Sequence, residues 1–502
     1  MSAAATSLAA APAAEGADRR RWLALVVLCV GMLMIVLDQT IVNVALPSIQ
    51  SDLGFSQSNL AWVINAYLIP FGGLLLLAGR LGDLLSRKGV FMAGLGVFVF
   101  ASLLCGAAQS QEMLIGARFL QGAGGALTSA VILGMIVTMF TEPREQAKAI
   151  GVYAFVASAG ASIGLLAGGV LTEAINWHWI FIVNLPIGIA TALLAARLIE
   201  RDRGTGLGEG ADTAGALLIT GSLMLAVYTI VEAADYGWGS LHTLGLGAVA
   251  LAMLMAFLVR ESRISNPLIP LGIFRSRAVA AANLIQALMV AGLFGMFFLG
   301  SLYMERVLGY GPLEIGLAFL PVALLIGILS FGFSDRLILR FGARATLIPG
   351  LVLIVAGLAL FARVPVDASY VADMLAPMVL FGVGAGLSFP SLMTLAMSGV
   401  APSESGLASG LVNTSLQVGG ALGLAVLATL STTRTENLLA SGDTQAAALT
   451  SGYRVAWIIG AALIAVALAA AIAWLRPERG AEQEAGRLEE LPGAEPAYSE
   501  AA

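Results

Sequence analysis

Residues Trp22 to Pro47 read WLALVVLCVGMLMIVLDQTIVNVALP, a stretch with one acidic residue, Asp38, and no basic one. A helix crosses the hydrocarbon core of a bilayer with about 20 mostly apolar residues, so this run is long enough to span it. Further runs of the same kind begin near Asn59, Gly89, Met113, Ala147, Trp177, Asp212, Leu241, Ala278, Gly311, Ala345, Val371, Glu404 and Tyr453, which makes fourteen with the first. Hydrocarbon offers the backbone no water, so each run must satisfy its own N–H and C=O groups, and runs of this length do so as helices rather than as barrel strands. Apolar residues make up 59% of the chain and charged residues 11%, and the mean hydropathy is +0.91. No soluble domain has that balance. The chain is predicted to be an all-α polytopic membrane protein with 14 transmembrane helices.

Basic residues assign the sides. With the N-terminus in the cytoplasm, 21 Lys and Arg residues fall inside, among them Arg19 to Arg21, Arg80, Arg87, Lys88, Arg144, Lys148, Arg260 and Arg340. Four fall outside, Arg306, Arg363, Arg434 and Arg454. The positive-inside rule therefore places both termini in the cytoplasm. The run after Arg21 is too long for a signal-peptide core and no small-residue cleavage site follows it, so it is read as an uncleaved first span. Residues 477–502 are acidic and rich in Ala, Gly and Pro, the composition of a disordered tail. Cys29 and Cys105 both fall inside apolar runs, which suggests neither a disulfide framework nor a metal site.

The chain repeats itself weakly. Gly79-Arg80-Leu81-Gly82-Asp83 and Arg87-Lys88-Gly89 follow the second run, and Ser334-Asp335-Arg336 with Arg340-Phe341-Gly342 follows the tenth. The glycines Gly122, Gly124 and Gly125 have counterparts in Gly382, Gly384 and Gly386. Duplicated halves are a common plan for transporters. The expected division is a cytoplasmic tail 1–21, a six-helix half 22–200, a linker 201–277 carrying two extra spans, a second six-helix half 278–476 and the tail 477–502. The two extra spans hold few polar residues and are expected at the periphery, facing lipid.

Leu37-Asp38-Gln39-Thr40-Ile41-Val42-Asn43-Val44-Ala45-Leu46-Pro47 resembles the first-span signature of the 14-span drug:proton antiporters of the major facilitator superfamily. Gly79 to Gly89 resembles that superfamily's cytoplasmic loop motif, and Arg118-Phe119-Leu120-Gln121-Gly122-Ala123-Gly124 its fourth-span motif. Trp177-His178-Trp179-Ile180-Phe181-Ile182-Val183-Asn184-Leu185-Pro186-Ile187-Gly188 resembles the opening of the sixth span in the 14-span branch. The resemblance covers about residues 20 to 476. It implies a major facilitator fold and proton-coupled efflux of drugs or antibiotics by alternating access, from a multi-pass position in the cell membrane. In the fifth span, Gly160, Gly164, Leu165, Gly168 and Gly169 keep the glycines of the antiporter motif and replace its proline. A glycine face still lets helices pack closely, while the bend that the proline would impose is missing.

Asp38 lies 16 residues beyond Trp22, about 24 Å along a helix. A charge near the bilayer centre costs about 2.5 to 3.5 kcal/mol on insertion scales, so such residues usually face a wet cavity and carry function. Two readings are open for it: a fixed helix-packing partner of Arg118, or a carboxylate that binds and releases the coupling proton as its surroundings alternate. Arg118 is the one basic residue deep within a run, and a guanidinium tunes a carboxylate without itself titrating. The resemblance links the motif that holds Arg118 to proton transfer. Gln121, one turn on, shares its face. Asp83 is expected to meet the N-terminus of span 13, near Ser403, with Arg87 bridging to a neighbouring acid, so that Gly79, Asp83 and Arg87 form a conformational latch. Asn43, Asn65, Tyr67, Gln121, Asn184, Gln286, Asn413 and Gln417 are the candidates for lining a substrate cavity.

No nucleotide-binding loop, HExxH motif or paired Cys/His set is present, so the reading is of a transporter and not an enzyme, with no cofactor and no metal. The expected partners are a small amphipathic or cationic substrate, protons and the bilayer, with no nucleic acid and a monomeric state. A proton-coupled importer of the same fold shares nearly every motif. A membrane enzyme or sensor would need an extramembrane domain that loops of this size do not supply.

Overall fold

The computed structural model describes residues 3–200, 202, 204, 206, 212–265, 267–398 and 405–475. The expected disordered tail 477–502 and the Ser403 end of span 13 lie outside these residues. Helices occupy nearly all of the described chain. They are α1 (Ala3–Leu53), α2 (Gln57–Leu60), α3 (Trp62–Leu84), α4 (Arg87–Gly106), α5 (Gln111–Met139) and α6 (Pro143–Ala174). Next come α7 (Trp179–Ile182), α8 (Asn184–Leu198), α9 (Thr213–Tyr236), α10 (Leu241–Glu261), α11 (Arg277–Arg306) and α12 (Pro312–Ile328). The last five are α13 (Ser334–Phe341), α14 (Ala343–Phe361), α15 (Leu375–Met397), α16 (Ser405–Ala440) and α17 (Gln445–Trp474).

Capping residues mark where the chain re-enters each helix. Ser86, Ser110 and Ser240 accept from the backbone N–H groups of Gly89, Met113 and Thr243 at 3.1, 3.2 and 3.1 Å, and Asp212 accepts from Gly215 at 2.9 Å. Each satisfies one of the four N–H groups that a helix start leaves unpaired. Pro143 and Pro312 occupy the first turn of α6 and α12, where the missing N–H is not needed. Gly237 closes α9 at φ 83°, a left-handed value that favours glycine.

Among the described residues, 12 helices are long and apolar enough to cross a membrane, and two more, Ile163–Ala174 and Pro312–Ile328, are shorter apolar stretches. The shorter pair belongs to the fifth and tenth runs read from the sequence. α12 is cut short because the backbone widens into a π-helical turn at Leu329–Phe333 before α13 continues.

α1, α3, α4, α5, α6 and α8 pack on one another, as do α11, α12, α14, α15, α16 and α17. The two groups meet where α6 lies on α12, α3 on α16 and α1 on α11. Glycine permits the closest of these approaches. A Cβ on Gly169 of α6 would stand 2.9 Å from Leu313 Cα, and one on Gly316 of α12 would stand 2.8 Å from Leu165 O. Hydrogen bonds that cross the same seam include Ser301 Oγ to Asn43 O at 2.8 Å, Gln57 Nε2 to Ser431 Oγ at 3.3 Å, and Leu313 N to Glu173 Oε2 at 3.1 Å. These close the end of the bundle opposite the basic one.

The insert departs from expectation in one respect. α10 packs on α9 and leaves most of its surface outward, with Leu241, Leu244 and Leu251 among its exposed side chains. α9, in contrast, packs on both α3 and α16. Thr220, Ser222 and Thr229, scattered among apolar neighbours, are all buried. Their small hydroxyls read as compatible with lipid, whereas in the fold they face other helices.

Candidate functional site

Asp38 of α1 is fully buried, and its carboxylate accepts from donors on other helices. Arg118 Nη1 of α5 donates to Asp38 Oδ2 at 2.6 Å. Gln121 Nε2, also on α5, and Asn184 Nδ2 of α8 donate to Oδ1 at 2.7 and 2.8 Å. Arg118 is held in turn: Nε donates to Val63 O of α3 at 2.9 Å and Nη1 to Gln121 Oε1 at 2.7 Å. Its guanidinium lies 4.3 Å from the Tyr67 ring centroid and 5.7 Å from that of Phe181. Gln121 Nε2 also donates to Ser102 Oγ of α4 at 2.9 Å. The cluster therefore ties α1, α3, α4, α5 and α8 together around one ion pair.

The helices come this close because their contact faces are small. A Cβ on Gly124 would lie 2.6 Å from Phe98 N of α4, and one on Gly122 would collide with the Tyr67 carbonyl of α3. On α6, Gly160 faces Leu33 and Val36 of α1, Gly164 faces Leu37 and Thr40, and Gly168 faces Ile41 at 2.6 Å from its carbonyl. Those three glycines, each four residues from the next, form a groove along the stretch of α1 that carries Asp38. Gly169, one position on, turns to α12 of the other group. Nothing lies within 4 Å of a Cβ on Gly79, so no neighbour requires glycine there.

An ionised carboxylate only accepts hydrogen bonds, and the donors Arg118, Gln121 and Asn184 suit that state. Protonation would turn one oxygen into a donor facing Arg118, Gln121 or Asn184. Removing a partner from a buried ion pair costs about 3 to 5 kcal/mol. The protonation state of Asp38 is thereby linked to how firmly α1 is held to α5 and α8.

The residues read as cavity candidates separate in the fold. Gln121 and Asn184 join the Asp38 cluster, where each donates its amide N–H to the carboxylate. Asn43 donates to Gln39 O and Thr40 O of its own helix at 3.2 and 3.3 Å. Asn65 is fully buried with both side-chain polar atoms lacking a hydrogen-bond partner, and Gln286 Oε1 and Gln417 Oε1 are also buried and unpartnered. Tyr67 lies under Arg118, and its hydroxyl makes no hydrogen bond. Gln286 of α11 and Gln417 of α16 stand at one level, bracketed by Ser415 Oγ to Asn283 Oδ1 at 2.8 Å and by Gly419 against Ala287. On the far side, Gln417 Cβ would lie 2.8 Å from a Cβ on Gly72 of α3. Asn413 is exposed and engaged with a neighbour.

At the basic end, Asp83 Oδ1 accepts from Arg87 Nη2 and Nε at 2.8 and 3.1 Å, and Arg87 Nη1 reaches Gly134 O at 3.3 Å. Arg87 thus bridges to Asp83 itself. Asp202, which follows α8 and had drawn no attention in the sequence, holds the start of α4. Its carboxylate accepts from Ser86 Oγ at 2.6 Å, Arg87 N at 2.7 Å and Lys88 N at 3.2 Å. Lys88 Nζ donates back to Ala196 O and Ile199 O at 2.9 and 2.5 Å. Burial alone would raise the Asp202 carboxyl, but these hydrogen bonds outweigh it and hold the group below the ordinary carboxylate value. Ser102 and Asp202 were missed for one reason: a serine in an apolar run and an acid between two arginines carry no periodic signal.

A helical bundle split by a seam, with one buried ion pair in one of its parts, defines a polytopic carrier-type membrane protein. The chain matches the Major Facilitator Superfamily over residues 28–424 and belongs to that family. It is 42% identical over 469 residues to the puromycin resistance protein of Streptomyces alboniger, covering 92% of each chain. It is 38% identical over 409 residues to the cephamycin export protein of Amycolatopsis lactamdurans, covering 81% of this chain and 84% of the relative. Among solved structures, the peptide-transporter-family protein PepTSo superimposes with a TM-score of 0.65 at 14% identity, over 90% of this chain and 98% of that one. A bacterial homologue of the human lysosomal transporter Spinster does so with a TM-score of 0.63 at 16% identity, over 92% and 98%. At those identities the likeness is one of fold.

Proposed function

We propose that this chain is a secondary efflux transporter that exports amphipathic or cationic small molecules, antibiotics among them, in exchange for protons. The observation that carries the reading is Asp38, a membrane-buried carboxylate that accepts hydrogen bonds from Arg118, Gln121 and Asn184 and so joins α1 to α5 and α8. The names of the relatives, a puromycin resistance protein and a cephamycin export protein, support the direction and the substrate class. In this reading 22–200 and 278–476 are the moving halves, 201–277 carries the inserted pair, and both termini face the cytoplasm of a cell whose plasma membrane holds the protein as a monomer. Proton entry neutralises Asp38, frees Arg118 and loosens the first half, while the orphaned amides Asn65 of α3, Gln286 of α11 and Gln417 of α16 offer polar contacts to a substrate. Gly79, Asp83 and Arg87 act at the basic end as the latch. The protein is a carrier and not an enzyme.

The driving force is adequate. One proton crossing about 100 mV delivers about 2.3 kcal/mol, enough to hold a neutral substrate gradient of about 50-fold at about 1.36 kcal/mol per tenfold. The test is uptake into inverted vesicles energised by an imposed pH gradient, with ethidium as the probe. Accumulation that collapses when the gradient is dissipated is expected; gradient-driven release of preloaded ethidium would reverse the assigned direction.

A further inference from the structure

The first helix of the inserted pair, α9, lies where the two groups of helices meet. α3 and α16 touch directly at Gly72, whose carbonyl accepts from Thr414 Oγ1 at 3.4 Å and where a Cβ would stand 2.8 Å from Gln417 Cβ, and at Leu76, where a Cβ on Gly410 would stand 2.7 Å from Cδ2. α9 crosses that seam and is anchored on each side. On α3, Gly73 makes room for Thr220: a Cβ at position 73 would collide with Thr220 Oγ1 and lie 3.1 Å from Thr220 Cβ and 3.3 Å from its Cα. On α16, Thr429 Oγ1 donates to Ile230 O at 3.2 Å. The anchors are ten residues apart in sequence, about 15 Å along α9, so the helix meets the two sides at different depths.

α9 and α10 are fastened to each other. Ser222 Oγ donates to Ala250 O at 2.8 Å and Arg260 Nε to Asp212 Oδ1 at 2.7 Å. Glu261, in the last turn of α10, accepts from Ile269 N at 2.8 Å and secures the exit of the hairpin. A rigid hairpin fastened at separate depths to two helices cannot follow both when they part. One anchor must yield.

We propose that α9 is a brace across the α3–α16 seam, and that Thr220 against Gly73 and Thr429 against Ile230 are positioning contacts remade in each cycle that set the balance between the two access states. The proposal rests on the reading of the chain as an alternating-access transporter. Its test reads the halves directly: spin labels on α5 and α15 in the detergent-purified full chain, with the two inter-half distances measured by pulsed electron resonance without substrate. Gly73→Ala should push Thr220 away and change the population ratio of the two distances at least threefold, and adding Thr220→Gly should restore it. Thr429→Val, which keeps the shape and removes the donor, should shift the ratio in the same measurement. Ser222→Ala, which cuts a contact inside the hairpin, should leave it within the error of wild type.

Ratios unchanged in both seam variants overturn the brace. So does an equal shift with Ser222→Ala, because hairpin integrity rather than the seam would then be responsible. Ethidium efflux is measured in parallel: its absence in wild type would remove the efflux reading, while the distance ratios still decide whether α9 couples the halves.

Discussion

α5 and α15 carry the same glycine stripe and do different work with it. A Cβ on Gly124 of α5 would press on Phe98 N at 2.6 Å, and one on Gly384 of α15 would press on Gly350 O at 2.5 Å, so each stripe brings its helix against the neighbouring backbone. Four and one residues before Gly122 stand Arg118 and Gln121; before Gly382 the same offsets give Met378 and Phe381. All four side chains are buried. In α5 they build the ion pair with Asp38. In α15, Phe381 meets the Phe297 ring at 6.4 Å, and nearby Phe297 meets Phe319 at 5.0 Å, an aromatic core without charge. Glycine sets how closely helices approach, and the residues one turn earlier set the chemistry. A duplicated scaffold can therefore keep its packing in both halves and place its titratable group in one.

The largest expected effect comes from removing that group. Asp38→Asn should reduce proton-driven ethidium transport to background with the protein still in the membrane, whereas Phe381→Leu in the other half should leave transport within a few-fold of wild type. Gradient-driven transport at the wild-type rate in the Asn variant would end the contrast between the halves. Next is stability. Arg118→Met copies the residue of the second half into the first and strands a buried carboxylate, which should cost about 3 to 5 kcal/mol. Thermal unfolding in detergent reads this, and the double variant with Asp38→Asn should recover most of the stability without recovering transport. The volume-conserving Met378→Leu should cost less than about 1.5 kcal/mol.

The glycines test the shared part of the comparison. Gly124→Ala and Gly384→Ala each place a methyl group against backbone, and overpacking of that kind costs about 1 to 3 kcal/mol. Similar losses in both variants are expected, and a loss confined to Gly124→Ala would mean that the second stripe carries no packing. The smallest effect lies at the basic end. α4 starts with its N-cap Ser86 and with Asp202 bound to Arg87 N and Lys88 N, while α14 starts after Gly342 with no side-chain cap. Asp202→Asn makes the two starts more alike and should cost about 0.3 to 1 kcal/mol. Hydrogen bonding holds the Asp202 carboxyl below its ordinary value, so its contribution is complete above the unfolded-state value, about 3.9, and is lost as pH falls through the lowered folded-state value. The Asn variant should lack that acid-range slope in thermal unfolding.

Much of this architecture is legible in the chain alone. Hydrocarbon leaves an apolar run no choice but to satisfy its own backbone, so the helices follow from run length. Asp38 and Arg118 also stand out unaided, because one acid and one base in long apolar runs are expensive to bury separately. Their pairing was one of the readings the sequence offered; Gln121 and Asn184 as further donors to the carboxylate required the fold. α3 is buried on most of its surface, and a helix apolar all round gives no periodic sign of which side meets which neighbour. For the same reason polar residues such as Asn184 and Asn65 look alike in sequence, although one is bonded to Asp38 and the other has no hydrogen-bond partner. The position of α9 was equally hidden: Thr220 reads as a small residue in a lipid-compatible run, and only the gap left by Gly73, some 150 residues earlier in the chain, shows that it belongs in a seam. Run length and isolated charge are local properties and are written along the chain, while the choice of partner across helices depends on rotation and depth, which packing alone decides.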